Sequence, residues 1–144
     1  MQKKSNQTKK RIRVMLVDDH ARMRDALRTF INAEPDLTVV AEADGGHAAL
    51  ELIGRTKPDV VLMDASMPRM NGMEATRQLK QLYPDVRVVG LTLYEEATYL
   101  EEMIAAGAKG YVLKSEAPTN VAEAIRVVAA GRTYFHSIIP SGTS

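Results

Sequence analysis

The stretch VVLMDASMPRMNG, residues 60–72, is where the fold can be read. An apolar run ends in a carboxylate, Asp64, and a loop containing proline, asparagine and glycine follows. A strand apolar at every position suits a parallel sheet buried on both faces, not a half-exposed antiparallel one. Asn71-Gly72 then leads into a helical stretch, MEATRQLKQLY (73–83), which stops at Pro84.

The same alternation extends in both directions. Towards the N-terminus lie a helix GHAALELIGRT (46–56), ended by Lys57-Pro58, and a strand LTVVAEA (37–43), closed by DGG. Before them come a helix ARMRDALRTFINA (21–33) and a first strand IRVMLV (12–17). Ala26, Leu27, Phe30 and Ile31 fall at helical spacing in that first helix. Towards the C-terminus come VRVVGLT (86–92), a helix EEATYLEEMIAAG (95–107) with Gly107 as its stop, and a short strand GYVL (110–113). A last helix runs from Pro118, in the first turn, to Ala130, with Val121, Ala124, Ile125 and Val128 on one face. Five strands alternating with five helices predict an α/β fold, a doubly wound parallel sheet with helices on both faces.

Composition is compatible with one compact domain. The chain has 144 residues, 45% apolar and 26% charged, and no cysteine, which excludes disulfides and thiolate zinc sites. No window approaches the roughly 18 continuous apolar residues that cross a bilayer, and no apolar run follows the basic N-terminus as a secretory signal would require. A cytoplasmic location and no membrane partner are the expectation. Residues 1–13 hold six Lys/Arg and no acid, leaving 13 basic against 18 acidic residues in the remainder. Residues 1–10 therefore read as a solvated, disordered leader, and the mildly acidic remainder argues against a nucleic-acid surface on the domain itself.

In open parallel sheets ligands bind beyond the carboxyl ends of the strands. The first strand ends in Asp18-Asp19, the third in Asp64, the fourth in Thr92 and the fifth in Lys114, while the second contributes only Ala43 and Asp44, as expected of an edge strand. Right-handed crossovers put all these tips on one edge. Three carboxylates in one cleft repel unless a cation sits among them. Mg²⁺, which uses one or two carboxylates and keeps several waters, fits, and Mn²⁺ could replace it. Lys114 and Thr92 could hold phosphoryl oxygens by charge and hydrogen bond, and Asp64 is placed to attack phosphorus and carry it as an acyl phosphate.

These residues carry a resemblance. VDD after the first strand, DVVLMDASMPRMNG, GLT and GYVLKS resemble the response-regulator receiver domain of two-component signalling. DDHARMRDALR, MPRMNGMEATRQL and VAEAIRVVAAG are most similar to its NarL/FixJ-type branch. The resemblance covers residues 11–134, leaves 135–144 as a linker-like tail, and implies the flavodoxin-like (βα)5 fold with strand order 2-1-3-4-5. It implies that Asp64 is the phosphoacceptor and that Asp18, Asp19, Asp64 and the Ser66 backbone carbonyl bind Mg²⁺. It also implies that Thr92 and Tyr111 are the switch pair, that Lys114 contacts the phosphoryl group, and that the Ala65 and Leu93 N–H groups complete the oxygen cage. A sensor histidine kinase would be the donor, phosphorylation would favour a homodimer, and DNA would be reached only through an output domain outside this chain. Arg69 stands where many relatives carry glycine, Ser115 where many carry proline, and Ser66 and Tyr94 at positions that tune phosphate loss.

Blander readings exist for each residue. Asp18 and Asp19 could be a helix N-cap, Thr92 a β-branched strand residue, Tyr111 core packing and Lys114 a solvated charge. His20, His47 and His136 lack metal-like spacing and read as structural or surface residues, and the eight methionines read as core filler, with Met63, Met67 and Met70 around Asp64. A phosphatase of the haloacid-dehalogenase type would need a second Asp two residues after Asp64, where Ser66 stands. No Walker A or G-x-G-x-x-G motif supports nucleotide binding. The chain therefore reads as a signalling phosphoacceptor and not a turnover enzyme, with a stand-alone receiver or a phosphorylation-independent interaction module as alternatives.

Overall fold

The computed structural model describes residues 10–65, 67, 70–92, 97–116 and 118–135, with only the backbone described at 97 and 98. Among these residues strand and helix alternate as β1 (Ile12–Val17), α1 (Ala21–Asn32), β2 (Leu37–Ala43), α2 (Gly46–Thr56), β3 (Val60–Asp64), α3 (Gly72–Leu82), β4 (Arg87–Thr92), α4 (Ala97–Ala106), β5 (Gly110–Leu113) and α5 (Pro118–Ala129). The strands form one sheet in the order β2-β1-β3-β4-β5, and every neighbouring pair is parallel. The expected α/β architecture and strand order are both present, with β2 at an edge.

Strand side chains alternate between faces, and the core divides accordingly. Val14, Leu16, Val60, Leu62, Val89, Leu91 and Val112 pack under α1 and α5 with Leu27, Ile31 and Ile125. Met15, Val17, Val61, Met63, Val88 and Tyr111 pack on the other face with Ile53, Leu79 and Met103 of α2, α3 and α4. β3 is buried at all five positions, as a central strand covered on both sides must be. β2, at the edge, is mostly half-buried.

The expected α5 face is buried at Val121, Ala124, Ile125 and Val128. In α1 the expectation needs correction. Leu27 and Ile31 are buried, but Phe30 is only half-buried and Ala26 is exposed. Leu27 and Ile31 are four residues apart on the stripe that meets the sheet, and Ala26 lies about 100° around the helix from Leu27, on its solvent side. Six of the methionines are buried filler as read, with Met63, Met67 and Met70 in the core on the α2–α4 face, whereas Met23 is half-buried on α1.

Local chemistry sets the element ends. α2 stops at Lys57, whose left-handed backbone (φ 50) precedes Pro58. The Arg13 guanidinium reaches across from β1 to the Thr56 and Lys57 carbonyls there, which complements the negative helix terminus. Asn71 caps α3 by accepting the Glu74 N–H at 2.9 Å. Gly107, at φ 116, closes α4 as expected. Beyond α5, Tyr134 forms a parallel bridge to Gly110 and covers the free edge of β5. Lys10 is exposed without regular structure; the rest of the expected leader, residues 1–9, and tail positions 136–144, including His136, lie outside the described residues. No described helix is long and apolar enough to cross a membrane.

Gly72 brings α3 close behind the tip of β3. A Cβ on Gly72 would fall 2.2 Å from the Asp64 carbonyl oxygen and 2.7 Å from the Ala65 Cα. Those are backbone atoms and cannot swing aside. Gly72→Ala should therefore destabilise the fold by about 2–3 kcal/mol, read as a fall in the urea midpoint at unchanged slope. A neutral substitution would contradict this packing.

Candidate functional site

The carboxyl ends of β1, β3 and β5 converge on a small polar centre. Lys114 Nζ lies 2.8 Å from Asp18 Oδ2 and 3.3 Å from Asp64 Oδ2. All three side chains are shut off from water, at 3% or less exposure. Lys114 is thus no solvated charge. It reaches from the end of β5 past the intervening β4 to both acids.

Each polar group of Asp18 is engaged. Its N–H donates to the Ala43 carbonyl at 3.1 Å, and its carbonyl accepts from Arg24 Nη1 at 2.5 Å. Its Oδ1 accepts the His20 N–H at 2.8 Å. Burial alone would raise the Asp18 carboxyl, but the Lys114 ammonium and the His20 N–H outweigh it and hold the group below its ordinary 3.8. Asp18 and Asp19 are not the α1 N-cap, because that position is His20, with no side-chain cap bond.

Asp19 is more open, at 28% exposure. It joins Asp18, His20 and Asp64 in a group whose donor atoms all lie within 4.8 Å of one another. Beside this group, the buried Lys114 ammonium lies against both Asp18 and Asp64. Hard carboxylate oxygens are what Mg²⁺ or Mn²⁺ requires, and the donor set fits such an ion. The Ser66 carbonyl, the remaining expected ligand, lies outside the described residues.

His20 sharpens the sequence reading. It is exposed, as a surface residue should be, yet its Nδ1 lies 3.0 Å from Asp18 Oδ1 and 3.3 Å from Asp19 Oδ1. Spacing rules for metal-binding histidines could not show this, because the partners are its immediate chain neighbours brought round by the β1–α1 turn. Arg24 and Glu42, also absent from the sequence reading, stand just behind the acidic pair.

The expectation for Ala65 is corrected. Its N–H donates to the Leu91 carbonyl at 2.8 Å, and its carbonyl accepts from Gly72. The β3–β4 register ends with the Asp64–Leu91 pair, and the Ala65 N–H is already engaged by the Leu91 carbonyl instead of standing open to the cleft. Leu93, Arg69 and Tyr94 lie outside the described residues.

Thr92 and Tyr111 occupy the other face, under α4. Thr92 is fully buried at the end of β4, and Tyr111 is fully buried on β5 directly beside Gly90 in the ladder. The Tyr111 ring fills the space that a side chain on Gly90 would take: a Cβ there would sit 2.6 Å from Tyr111 Cδ1 and 2.8 Å from Met103 Cε. Burial pushes the Tyr111 phenol up to about 12, and the neighbouring Thr92 hydroxyl works against that rise.

The sequence matches the response regulator receiver domain over residues 14–126. This chain belongs to the response-regulator receiver family. It is 40% identical over 126 residues to the transcriptional regulatory protein DegU of Brevibacillus brevis, covering 88% of this chain and 53% of that protein. It is 42% identical over 123 residues to the response regulator GacA of Pseudomonas aeruginosa, covering 85% and 58%. The receiver thus spans just over half the length of these curated relatives. Among solved structures, a LuxR-family two-component response regulator from Aurantimonas sp. superposes with a TM-score of 0.83 at 38% identity, covering 86% of this chain and 89% of that one. The receiver domain of the putative response regulator NarL from Mycobacterium tuberculosis gives 0.81 at 32%, covering 85% and 99%. The NarL-like branch read from the motifs is therefore the right one, and the receiver is homologous to transcriptional regulators of two-component systems.

The buried phenol gives the receiver a pH signature. A group whose folded value lies above its unfolded 10.0 stabilises the fold fully below about pH 10, and that contribution fades as pH climbs through about 12. Tyr111→Phe should flatten this alkaline loss of stability in denaturant titrations. Gly90→Ala should expel the ring and return the phenol towards its ordinary value, read by phenolate absorbance. An unchanged ionisation midpoint in Gly90→Ala would contradict the packing described.

Proposed function

We propose that this receiver accepts a phosphoryl group on Asp64 from a phosphohistidine of a sensor histidine kinase and changes conformation to control an output. The observation that carries the reading is the buried Lys114 ammonium shared by Asp18 and Asp64 at the strand ends. A carboxylate at a central strand tip, with a cation beside it and an acidic pair opposite, is equipped to attack phosphorus and to have the resulting charge neutralised.

In the transfer, an Asp64 carboxylate oxygen forms the new P–O bond while the donor's P–N bond breaks, its electron pair returning to the imidazole nitrogen. Asp18, Asp19, Asp64 and the Ser66 carbonyl would hold Mg²⁺, or Mn²⁺ in its place. When bound, the divalent cation supplies neutralising charge to the phosphoryl oxygens. Lys114, already within 3.3 Å of Asp64, pairs with a phosphoryl oxygen once the carboxylate has become an acyl phosphate. The Thr92 hydroxyl turns to another, and Leu93, outside the described residues, would supply a backbone N–H. As Thr92 moves, its contact with the buried Tyr111 changes. The surface formed by α4, β5 and α5 then shifts population.

Residues 11–134 constitute the receiver, 1–10 a basic leader and 135–144 a linker-like tail. Output runs through transcription by way of a DNA-binding domain, with homodimerisation upon phosphorylation, in the cytoplasm. The domain is a phosphoacceptor with slow self-hydrolysis and not a turnover enzyme.

Incubation with Mg²⁺ and a small-molecule phosphodonor, followed by intact-mass measurement, tests the reading. One phosphoryl adduct is expected, stable in acid, labile in alkali and absent from Asp64→Ala. No adduct at saturating Mg²⁺ would overturn it in favour of a phosphorylation-independent module, and repeated turnover on assorted phosphoesters would point to an enzyme.

A further inference from the structure

Behind the acidic pair, on the side away from Lys114, lies a second group of charges. Arg24 in α1 donates from Nη1 to the Asp18 carbonyl at 2.5 Å and from Nε to Glu42 Oε1 at 3.3 Å. Glu42 belongs to β2 and pairs in register with Leu16, two residues before Asp18. Its other oxygen accepts from Arg28 Nη1 at 2.6 Å. Arg24 and Glu42 are largely sheltered, at 19% and 25% side-chain exposure.

The Asp18 carbonyl belongs to the peptide that joins Asp18 to Asp19. Its orientation sets the backbone of Asp19 and hence where the Asp19 carboxylate points. Asp18 itself is held by the Ala43 carbonyl, by His20 and by Lys114. Among the described residues Asp19 has no comparable grip: His20, itself 61% exposed, approaches it at 3.3 Å. The bond from Arg24 therefore supplies the order that Asp19 lacks. It also places a cation behind two like charges that would otherwise push apart.

A surface arginine serving only to pin α1 would need no such bond. Leu27 and Ile31 already anchor that helix in the core, and Arg28 alone would tie it to Glu42. We infer that Arg24, oriented by Glu42, is a positioning residue for the divalent-cation site, fixing the Asp18–Asp19 peptide so that both carboxylates face one ion. This rests on the cation site proposed above and names residues that touch neither the ion nor the phosphoryl group. Partners in this outer position commonly govern metal affinity by about 10–100-fold.

The test is Mg²⁺ binding by isothermal titration calorimetry, at a temperature where each variant is folded by circular dichroism. Arg24→Gln should weaken binding by about tenfold or more, and Glu42→Gln by a smaller factor, because it loosens Arg24 without removing it. Arg24→Lys keeps a donor but loses the two-pronged grip, and should fall between wild type and Arg24→Gln. Arg126→Ala is the control for stability alone. It breaks the pairing of Arg126 with Glu34 and Asp36, away from the cleft, and should lower the melting temperature while leaving Mg²⁺ affinity unchanged. At saturating Mg²⁺, Arg24→Gln should regain the wild-type rate of phosphorylation by a small donor, since Asp64, Thr92 and Lys114 remain in place. Should Arg24→Gln fail to fold, Arg24→Lys and Glu42→Gln carry the test. Wild-type affinity in the folded Arg24 and Glu42 variants would overturn the inference while leaving the cation site standing. No Mg²⁺ binding by the wild-type chain would instead overturn the site itself, and the inference with it.

Discussion

Two carboxylates and one ammonium, all nearly excluded from water, meet where three strands end. Lys114 stands between Asp18 and Asp64, and much of the architecture can be understood as what makes that meeting tolerable. Burying a carboxylate costs several kcal/mol unless a partner and hydrogen bonds compensate it. The partner has to come from β5, with β4 lying between β5 and β3, so only a long side chain in fixed register can serve. The apolar core on both faces of β3 supplies that register. The Ala43 carbonyl, the His20 N–H and the Arg24 guanidinium supply the remaining bonds on Asp18. The hard carboxylate oxygens gathered there are the donor set that a divalent cation takes.

The sheet separates this charged centre from the buried side chains under α4. Asp18, Asp64 and Lys114 continue the alternation that faces α1 and α5, whereas Thr92 and Tyr111 belong to the face under α4. A change in charge at the cleft can reach the α4 face through Thr92, the last residue of β4. Gly90 gives that route a particular setting here, because the Tyr111 ring lies fully buried over a position with no side chain. The inward ring is thus favoured by packing alone.

The parts legible in the sequence were those governed by periodicity and by chain order. Apolar runs marked β1, β3, β4 and β5, the 3.6-residue pattern marked the helices, and the residue after each run named the contents of the cleft. Less legible was whatever depends on a turn or on side-chain reach. Ala26 falls at helical spacing with Leu27, Phe30 and Ile31, but its angle on α1 puts it in solvent. The Ala65 N–H was assigned to an oxygen cage by the resemblance alone, yet it donates to the Leu91 carbonyl. His20 gave no spacing signal because its contacts are to its neighbours. Arg24 and Glu42 were invisible because they are 18 residues apart and meet only once β2 lies beside β1. A basic residue one helical turn after an Asp-Asp-His run is the one hint that could have been followed.

Membership of the receiver family is settled by the match over residues 14–126. The physical account makes a narrower claim, that Lys114 is what allows Asp18 and Asp64 to be buried together as anions when no cation is bound. The most direct measurement is the unfolding free energy of Lys114→Met against wild type, in chelator and again in saturating Mg²⁺. The account predicts a loss of about 3 kcal/mol in chelator, the cost of leaving buried charge uncompensated, and recovery of most of it with Mg²⁺. Equal stability of the two proteins in chelator, or a loss that Mg²⁺ does not repair, would contradict it.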